Sequence, residues 1–181
     1  RSRVLAELPI VVPGSCAIYS DIGYMRLGWK IEDELGAPLD QLFAQLAPAF
    51  GLTGVGYCPA ASSRVAPTED CPVRGRVVRA EVHDLNCWYL GGVAGHAGLF
   101  GTAMEVARWA QHLLDAFWGR PSPAQPDRVR ELWLTPAPAA RPGSWRLAFD
   151  SVTPGGSSAG THFGPRAVGH LGFTGTSIWI E

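Results

Sequence analysis

Apolar residues recur along the chain at helical spacing in three places. Over residues 21–36, Tyr24, Leu27, Ile31 and Leu35 form one stripe, and Ile22, Met25 and Trp29 an adjoining one. Gly36 stands where a C-terminal cap belongs. A helix apolar over most of its girth is expected to be well buried. A second helix is announced by Pro38 at its first position, by Leu39, Leu42, Phe43, Leu46 and Phe50 on one face, and by Gly51 after its end. The two should form a helical hairpin. The third opens at Thr102, whose partner Glu105 completes a capping box, and turns Val106, Ala110, Leu113, Leu114 and Phe117 inward.

The rest of the chain is irregular. Residues 52–101 are rich in Gly, Pro and Ser yet hold Trp88, Tyr89, Leu99 and Phe100, which predicts a long loop that is functional or packed on its own side chains. Pro121 to Pro126 reads as a linker, Asp127 to Leu134 as a short helix, and Thr135 to Pro142 as another Pro/Ala-rich connection. Only Thr176 to Ile180 alternates and β-branches as a strand does, and no partner strand follows it.

Composition narrows the functional classes. The 181 residues are 46% hydrophobic, enough for a core, and 15 basic against 16 acidic residues leave a net charge of -1. That balance gives no electrostatic footprint for nucleic acid or for an anionic membrane surface, so a small or neutral partner is expected. No stretch approaches the length of a membrane span, and residues 1–14 lack a signal-peptide layout. Cys16, Cys58, Cys71 and Cys87 show no paired CxxC spacing, which predicts four buried thiols ahead of a Cys58–Cys71 disulfide or a zinc site.

Candidate chemistry concentrates at two places. Tyr19-Ser20-Asp21 runs into the first long helix, where Asp21 can act as its N-cap. Near the other end, Gly169-His170-Leu171-Gly172-Phe173-Thr174-Gly175-Thr176 leads into an apolar strand, and its glycines would let a ligand lie against backbone. His83, Asp84 and His96 are metal-type side chains, but no His-x-x-x-His pair accompanies them, and neither a metal nor another cofactor is expected. His112 is expected in solvent on the polar side of its helix, and His162 sits in a Gly/Ser-rich loop.

Together these motifs resemble the β-lactamase and penicillin-binding-protein family of serine hydrolases, whose motif set is S-x-x-K, S-D-N and K-T-G. Tyr19-Ser20-Asp21 is similar to the Y-x-N element of the branch with class C β-lactamases, D-alanyl-D-alanine carboxypeptidases and esterases, with Asp in place of Asn. His170-Leu171-Gly172 is similar to the H-x-G that some members carry for K-T-G. The stretch from Ala66-Pro67-Thr68-Glu69 to Val82-His83-Asp84-Leu85-Asn86, followed by Gly91-Gly92-Val93-Ala94-Gly95-His96-Ala97-Gly98-Leu99-Phe100, looks like a loop pattern of one bacterial subgroup.

The resemblance implies an α+β, β-lactamase/transpeptidase-like fold. Residues 1–175 would be the helical subdomain and cleft loops, and 176–181 the first part of a central-sheet strand. It implies Tyr19 as general acid/base, Asp21 as a hydrogen-bonding partner of substrate and of the motif lysine, and His170 as the charged group facing a substrate carboxylate. Gly172, Phe173 and Thr174 would border the substrate, with the Phe173 N–H as half of an oxyanion hole. Lys30 is the only lysine and Leu27 lies three residues before it, so S-x-x-K is absent from the sequence. The expectation is therefore an internal fragment, inactive alone, of a serine hydrolase acting on a D-alanyl peptide, a β-lactam or an ester in a bacterial periplasm or cell envelope. A non-catalytic peptidoglycan- or peptide-binding member is the alternative. The cytoplasm, the substrate and the oligomeric state stay open.

Overall fold

The computed structural model describes residues 1–60, 64–137, 143–153 and 155–181. The chain divides into two compact units, one of residues 1–7 and 20–108, the other of residues 8–19 and 109–181.

In the first unit, helix α1 (Ser2–Ala6) is tied to helix α2 (Asp21–Leu35) by Arg26, which donates to the carbonyls of Leu5 and Glu7. Ser20 is the N-cap of α2, because its extended backbone (φ -152°) lets its Oγ accept from the Gly23 N–H at 3.3 Å. Asp21, expected as the cap, is the first helical residue instead. Gly36 ends the helix in the left-handed conformation. Helix α3 (Leu39–Leu46) packs beside α2 as the expected hairpin, and continues into a 3-10 turn (Ala47–Phe50) that Gly51 closes.

Only Met25 and Gly28 of α2 are buried, while Tyr24, Leu27 and Leu35 are exposed. The expectation of a well-buried helix fails because the elements of this unit cover one side of it. That side is fixed by glycines: a Cβ on Gly28 would stand 3.2 Å from the Gly95 N, and one on Gly95 would fall 2.1 Å from the Tyr24 carbonyl oxygen.

The loop region folds on itself, as expected. Strands β1 (Gly56–Tyr57), β2 (Asp70–Cys71) and β3 (Arg76–Val77) are two residues each, helix α4 is Leu85–Tyr89, and strand β4 (Leu99–Phe100) pairs with β1. Val82, Cys87 and Ala94 form its apolar centre, with Trp88, Leu90 and Ala97 against it. The cysteines correct the sequence reading. All four are free, Cys71 and Cys87 are buried, and Cys16 and Cys58 are exposed.

Helix α5 (Ala103–Phe117) begins with the capping box: Thr102 Oγ1 accepts from the Glu105 N–H at 3.3 Å. The Glu105 carboxylate also accepts from the Gly54 N–H, which ties the helix start to the loop after α3. The Gly54 N–H above all, with the Thr102 hydroxyl and the Thr102 and Thr53 N–H groups, holds the Glu105 carboxyl below the ordinary range against the opposing effect of burial. Val106, expected inward, is exposed.

In the second unit, the part of α5 from Trp109 onward and helix α6 (Pro126–Leu134) cover an antiparallel sheet of β5 (Asp150–Ser151), β6 (Val168–Leu171) and β7 (Ser177–Ile180), in that order. Its core joins Leu113 and Ala116 of α5, Val129 and Trp133 of α6, and Phe149, Val168 and Ile180. The Trp133 indole donates to the Arg166 carbonyl at 2.8 Å, so its polar edge is satisfied inside the core. Truncating such a tryptophan to alanine costs about 3–5 kcal/mol. His112, expected in solvent, is half-buried. The helices and small antiparallel sheets bear out the α+β class. The strand expected at the chain end is present, but it is not solitary: its partner β6 lies upstream, where the sequence reads as a glycine-rich stretch. No helix among the described residues is long and apolar enough to cross a membrane.

Candidate active site

Strand β6 carries His170 near its end. The register pairs Val168 with Ile180, Gly169 with Trp179, His170 with Ile178 and Leu171 with Ser177. By the period of two, His170 shares the face of Val168, at the point where the core gives way to surface. There its ring meets Tyr19: the centroids are 6.0 Å apart and the planes 26° from parallel. Trp145 completes the group, 5.6 Å from Tyr19 and 5.8 Å from His170. All three residues belong to the second unit. Tyr19 is 65% exposed, with one side of its ring against Trp145 and His170. His170 Nδ1 lies 2.6 Å from the Leu171 carbonyl oxygen, which favours a proton on Nδ1 and leaves Nε2 for other partners.

The turn after β6 is a three-residue hairpin loop. The Gly172 N–H donates to the Thr176 carbonyl at 2.7 Å, the Gly175 N–H returns to the Gly172 carbonyl at 3.0 Å, and Gly175 takes the positive φ that this loop requires. It holds out Phe173, which is 94% exposed. Gly172, Phe173 and Thr174 therefore occupy a fixed hairpin tip one to three residues beyond the strand.

Asp21 lies in the first unit, with Asp84 and His96. One ligand-type atom from each lies within 4.8 Å of the others. Asp84 is the N-cap of α4: Oδ1 accepts from the Cys87 N–H at 2.7 Å and lies 2.8 Å from His96 Nε2. Burial works to raise the Asp84 carboxyl, but the Cys87 N–H and the His96 ring outweigh it and hold it below the ordinary carboxylate range. His83, grouped with Asp84 and His96 by sequence spacing, is elsewhere: its Nε2 lies 3.9 Å from Glu69 Oε2.

Trp145 carries no motif, and the sequence reading missed it. So too a cavity of about 300 Å³ in the first unit, lined among others by Cys58, Glu81, Trp88, Gly92 and Phe100. Two residues on its wall, Cys58 (φ 45°) and Ala80 (φ 56°), adopt the left-handed conformation without being glycine. Neither Tyr19, Asp21 nor His170 lines it.

Comparison with known proteins follows the same lines. The chain is 32% identical over 189 residues to an Escherichia coli (strain K12) protein named "Putative D-alanyl-D-alanine carboxypeptidase", covering 93% of this chain and 43% of that protein. It is 33% identical over 199 residues to the N-acetylmuramyl-L-alanine amidase of Bacillus subtilis (strain 168), covering 98% of this chain and 44% of that one. The chain thus spans less than half the length of these curated relatives. Among solved structures, a beta-lactamase from Mycobacterium bovis superposes with a TM-score of 0.64 at 20% identity, over 94% of this chain and 54% of that one. The octameric penicillin-binding protein homologue from Pyrococcus abyssi gives 0.53 at 16% identity, over 94% and 34%. These two likenesses show the fold, which is β-lactamase/transpeptidase-like. The family model described as Beta-lactamase matches residues 1–181, and the chain belongs to the beta-lactamase family.

Proposed function

We propose that this chain supplies part of the catalytic cleft of a serine hydrolase, one that transfers an acyl group to water through a serine acyl-enzyme. The substrate is a D-alanyl peptide, a β-lactam or an ester, and the nucleophile with its lysine lies outside these 181 residues. The observation that carries the reading is the stacking of His170 on Tyr19, which joins two motif residues from opposite ends of the chain in one group.

In this reading Tyr19 takes the proton of the attacking serine and passes it to the leaving group. An exposed side chain that rests on two neighbouring rings suits that task, since a substrate can reach it. His170 supplies a donor, and when protonated a positive charge, to a substrate carboxylate. Gly172, Phe173 and Thr174 border the bound acyl group, with the Phe173 N–H as one oxyanion donor. Asp21 hydrogen-bonds substrate and the motif lysine. The absence of any S-x-x-K from the sequence and the coverage of 43% of the carboxypeptidase-named relative support a nucleophile beyond the chain.

The test is Tyr19→Phe in an intact protein that includes S-x-x-K, assayed on a D-alanyl-D-alanine peptide, nitrocefin and p-nitrophenyl acetate. The expected loss in kcat is roughly 10²–10⁴-fold, the span of a positioned acid/base. An unchanged rate removes Tyr19 from the mechanism. Binding of peptide with no turnover in the intact parent identifies a non-catalytic member instead.

A further inference from the structure

We propose that Trp145 is a positioning residue for Tyr19: it seats the tyrosine ring beside His170, and the proton transfers assigned to Tyr19 depend on that seat. The inference rests on the reading of Tyr19 as general acid/base. Little else places this side chain. Residues 16–20 have no regular secondary structure, and among the described residues neither the backbone nor the hydroxyl of Tyr19 makes a hydrogen bond. What holds the ring is its contact with Trp145, at 5.6 Å and 30° between planes, and with His170, at 6.0 Å and 26°. Separations of this order are those of favourable aromatic pairs.

Trp145, by contrast, is fixed from the core. Its carbonyl accepts from the Ala137 N–H at 2.9 Å, and the Leu147 N–H donates to the Thr135 carbonyl at the end of α6 at 3.2 Å. On its other side the Arg146 N–H donates to the carbonyl of Phe149, a core residue beside Trp133. The Ser144 carbonyl accepts from the hydroxyl of the buried Ser151 at 2.6 Å. Ser151 in turn lies across the ladder from Val168, on the strand that carries His170. Trp145 and His170 therefore belong to one framework, their rings 5.8 Å apart, and Tyr19 leans on both.

This arrangement matters because an acid/base group works only within hydrogen-bond reach of the proton it moves. A misplacement of about 1 Å, caused away from the chemistry, can cost about 10²-fold in rate. Loss of Trp145 should accordingly be felt at the Tyr19 hydroxyl, although this role has the indole touch no reacting atom.

The experiment is a double-variant cycle in the intact parent that includes S-x-x-K, with p-nitrophenyl acetate as substrate. That ester carries no carboxylate for His170 to meet, so an effect read on it runs through Tyr19. Trp145→Ala should lower kcat about tenfold to 10²-fold with KM nearly unchanged, and Trp145→Phe should regain most of the loss. Trp145→Ala combined with Tyr19→Phe should be no slower than Tyr19→Phe alone, since a seat has no value without the hydroxyl it aims. Trp145→Leu takes the place of Trp145→Ala should the alanine variant fail to fold. Val129→Ala, which removes core volume at α6 and none at the three rings, should keep its kcat. The seat itself is read without turnover: with 3-fluorotyrosine in the same protein, the fluorine resonance of residue 19, identified by its loss in Tyr19→Phe, should move and narrow in Trp145→Ala. A parental kcat or an unmoved resonance in the folded Trp145 variant overturns the inference. So does a loss that multiplies with that of Tyr19→Phe, or one that Val129→Ala matches. A parental Trp145→Ala beside a slow Tyr19→Phe overturns this inference alone, whereas Tyr19→Phe with its rate intact overturns the acid/base reading and this inference with it.

Discussion

Gly169 lies directly across the β6–β7 ladder from Trp179, whose ring would stand 2.6 Å from any Cβ at that position. The Ile178 carbonyl oxygen would be closer still, at 2.1 Å. Backbone cannot retreat as a side chain can, so Gly169→Ala must push the strands apart. The expected cost is about 1–3 kcal/mol, as for other overpacked positions. Because His170 is the next residue, the same substitution should shift its ring against Tyr19. Hydrogen exchange of the β6 and β7 amides, read beside the melting temperature, checks both; unchanged protection would show that the sheet absorbs a methyl group.

Trp145 touches both Tyr19 and His170. Trp145→Ala should free the two rings and lower stability by about 0.5–1.5 kcal/mol beyond the lost area, the usual worth of aromatic pairs. For a chain of this length each kcal/mol moves the melting temperature by about 2–4 °C. The decisive readout is the His170 ring proton resonance, which should lose its ring-current shift in Trp145→Ala and regain most of it in Trp145→Phe. A purely structural tryptophan would lower the melting temperature and leave that resonance in place.

The thiols should divide into two classes. Burial first, with Asp84 and Cys58 adding to it, pushes the Cys87 thiol up to about 12, and the thiolate is the reactive form. Cys71 is likewise buried, whereas Cys16 and Cys58 are exposed. Brief alkylation of the native chain, followed by mass spectrometry, should mark Cys16 and Cys58, and should reach Cys71 and Cys87 only in denaturant. Native labelling of Cys87 would contradict the packing around α4.

Acid should unfold the chain through identifiable carboxylates. Asp84 and Glu105 both titrate below their ordinary values in the folded state. Each therefore adds stability that is complete above the unfolded value, about 4, and is lost as pH falls through the lower folded one. Stability measured from pH 6 to pH 2 should fall steeply only below about pH 4. Asp84→Asn and Glu105→Gln should each lower the plateau and flatten that limb. Parallel limbs in variant and parent would mean that neither group carries the acid response. At the other extreme, burial pushes the Tyr57 phenol up to about 12, so its contribution disappears as pH rises above about 10. Tyr57→Phe should remove that alkaline step.

Much of this architecture is legible in the sequence because it depends on local rules. Gly36 and Gly51 end their helices where the apolar periodicity stops, and Thr102 with Glu105 opens α5 as a capping box. Depth is less legible. Periodicity shows that Leu27 and Leu35 are apolar but not which side of α2 finds a neighbour, and both are exposed. Strand β6 is hidden because Val-Gly-His-Leu has too few β-branched residues to register, and it is a strand only through its pairing with β7. Tyr19 and His170 could be singled out by motif, and the fold stacks them. Trp145 could not, since its role comes entirely from where the chain folds back. Asp21 joins Asp84 and His96 rather than His83 for the same kind of reason, a close approach between α2 and residue 95 that no local spacing encodes.

That approach also restricts how the sequence can change. At most packed contacts, a larger residue on one side can be accommodated by a smaller one on the other, so substitutions accumulate in compensating pairs. Gly28 and Gly95 have no such route, because no side chain is smaller than the hydrogen each already carries, and at Gly95 the obstacle is the Tyr24 carbonyl itself. Neither position can be relieved by its partner. Variation should therefore flow around this joint, reaching Leu27 and the exposed face of α2 freely and Gly28 only where the chain at Gly95 yields a few tenths of an ångström, while Gly95 stays as it is and the loop that carries His96 keeps its place.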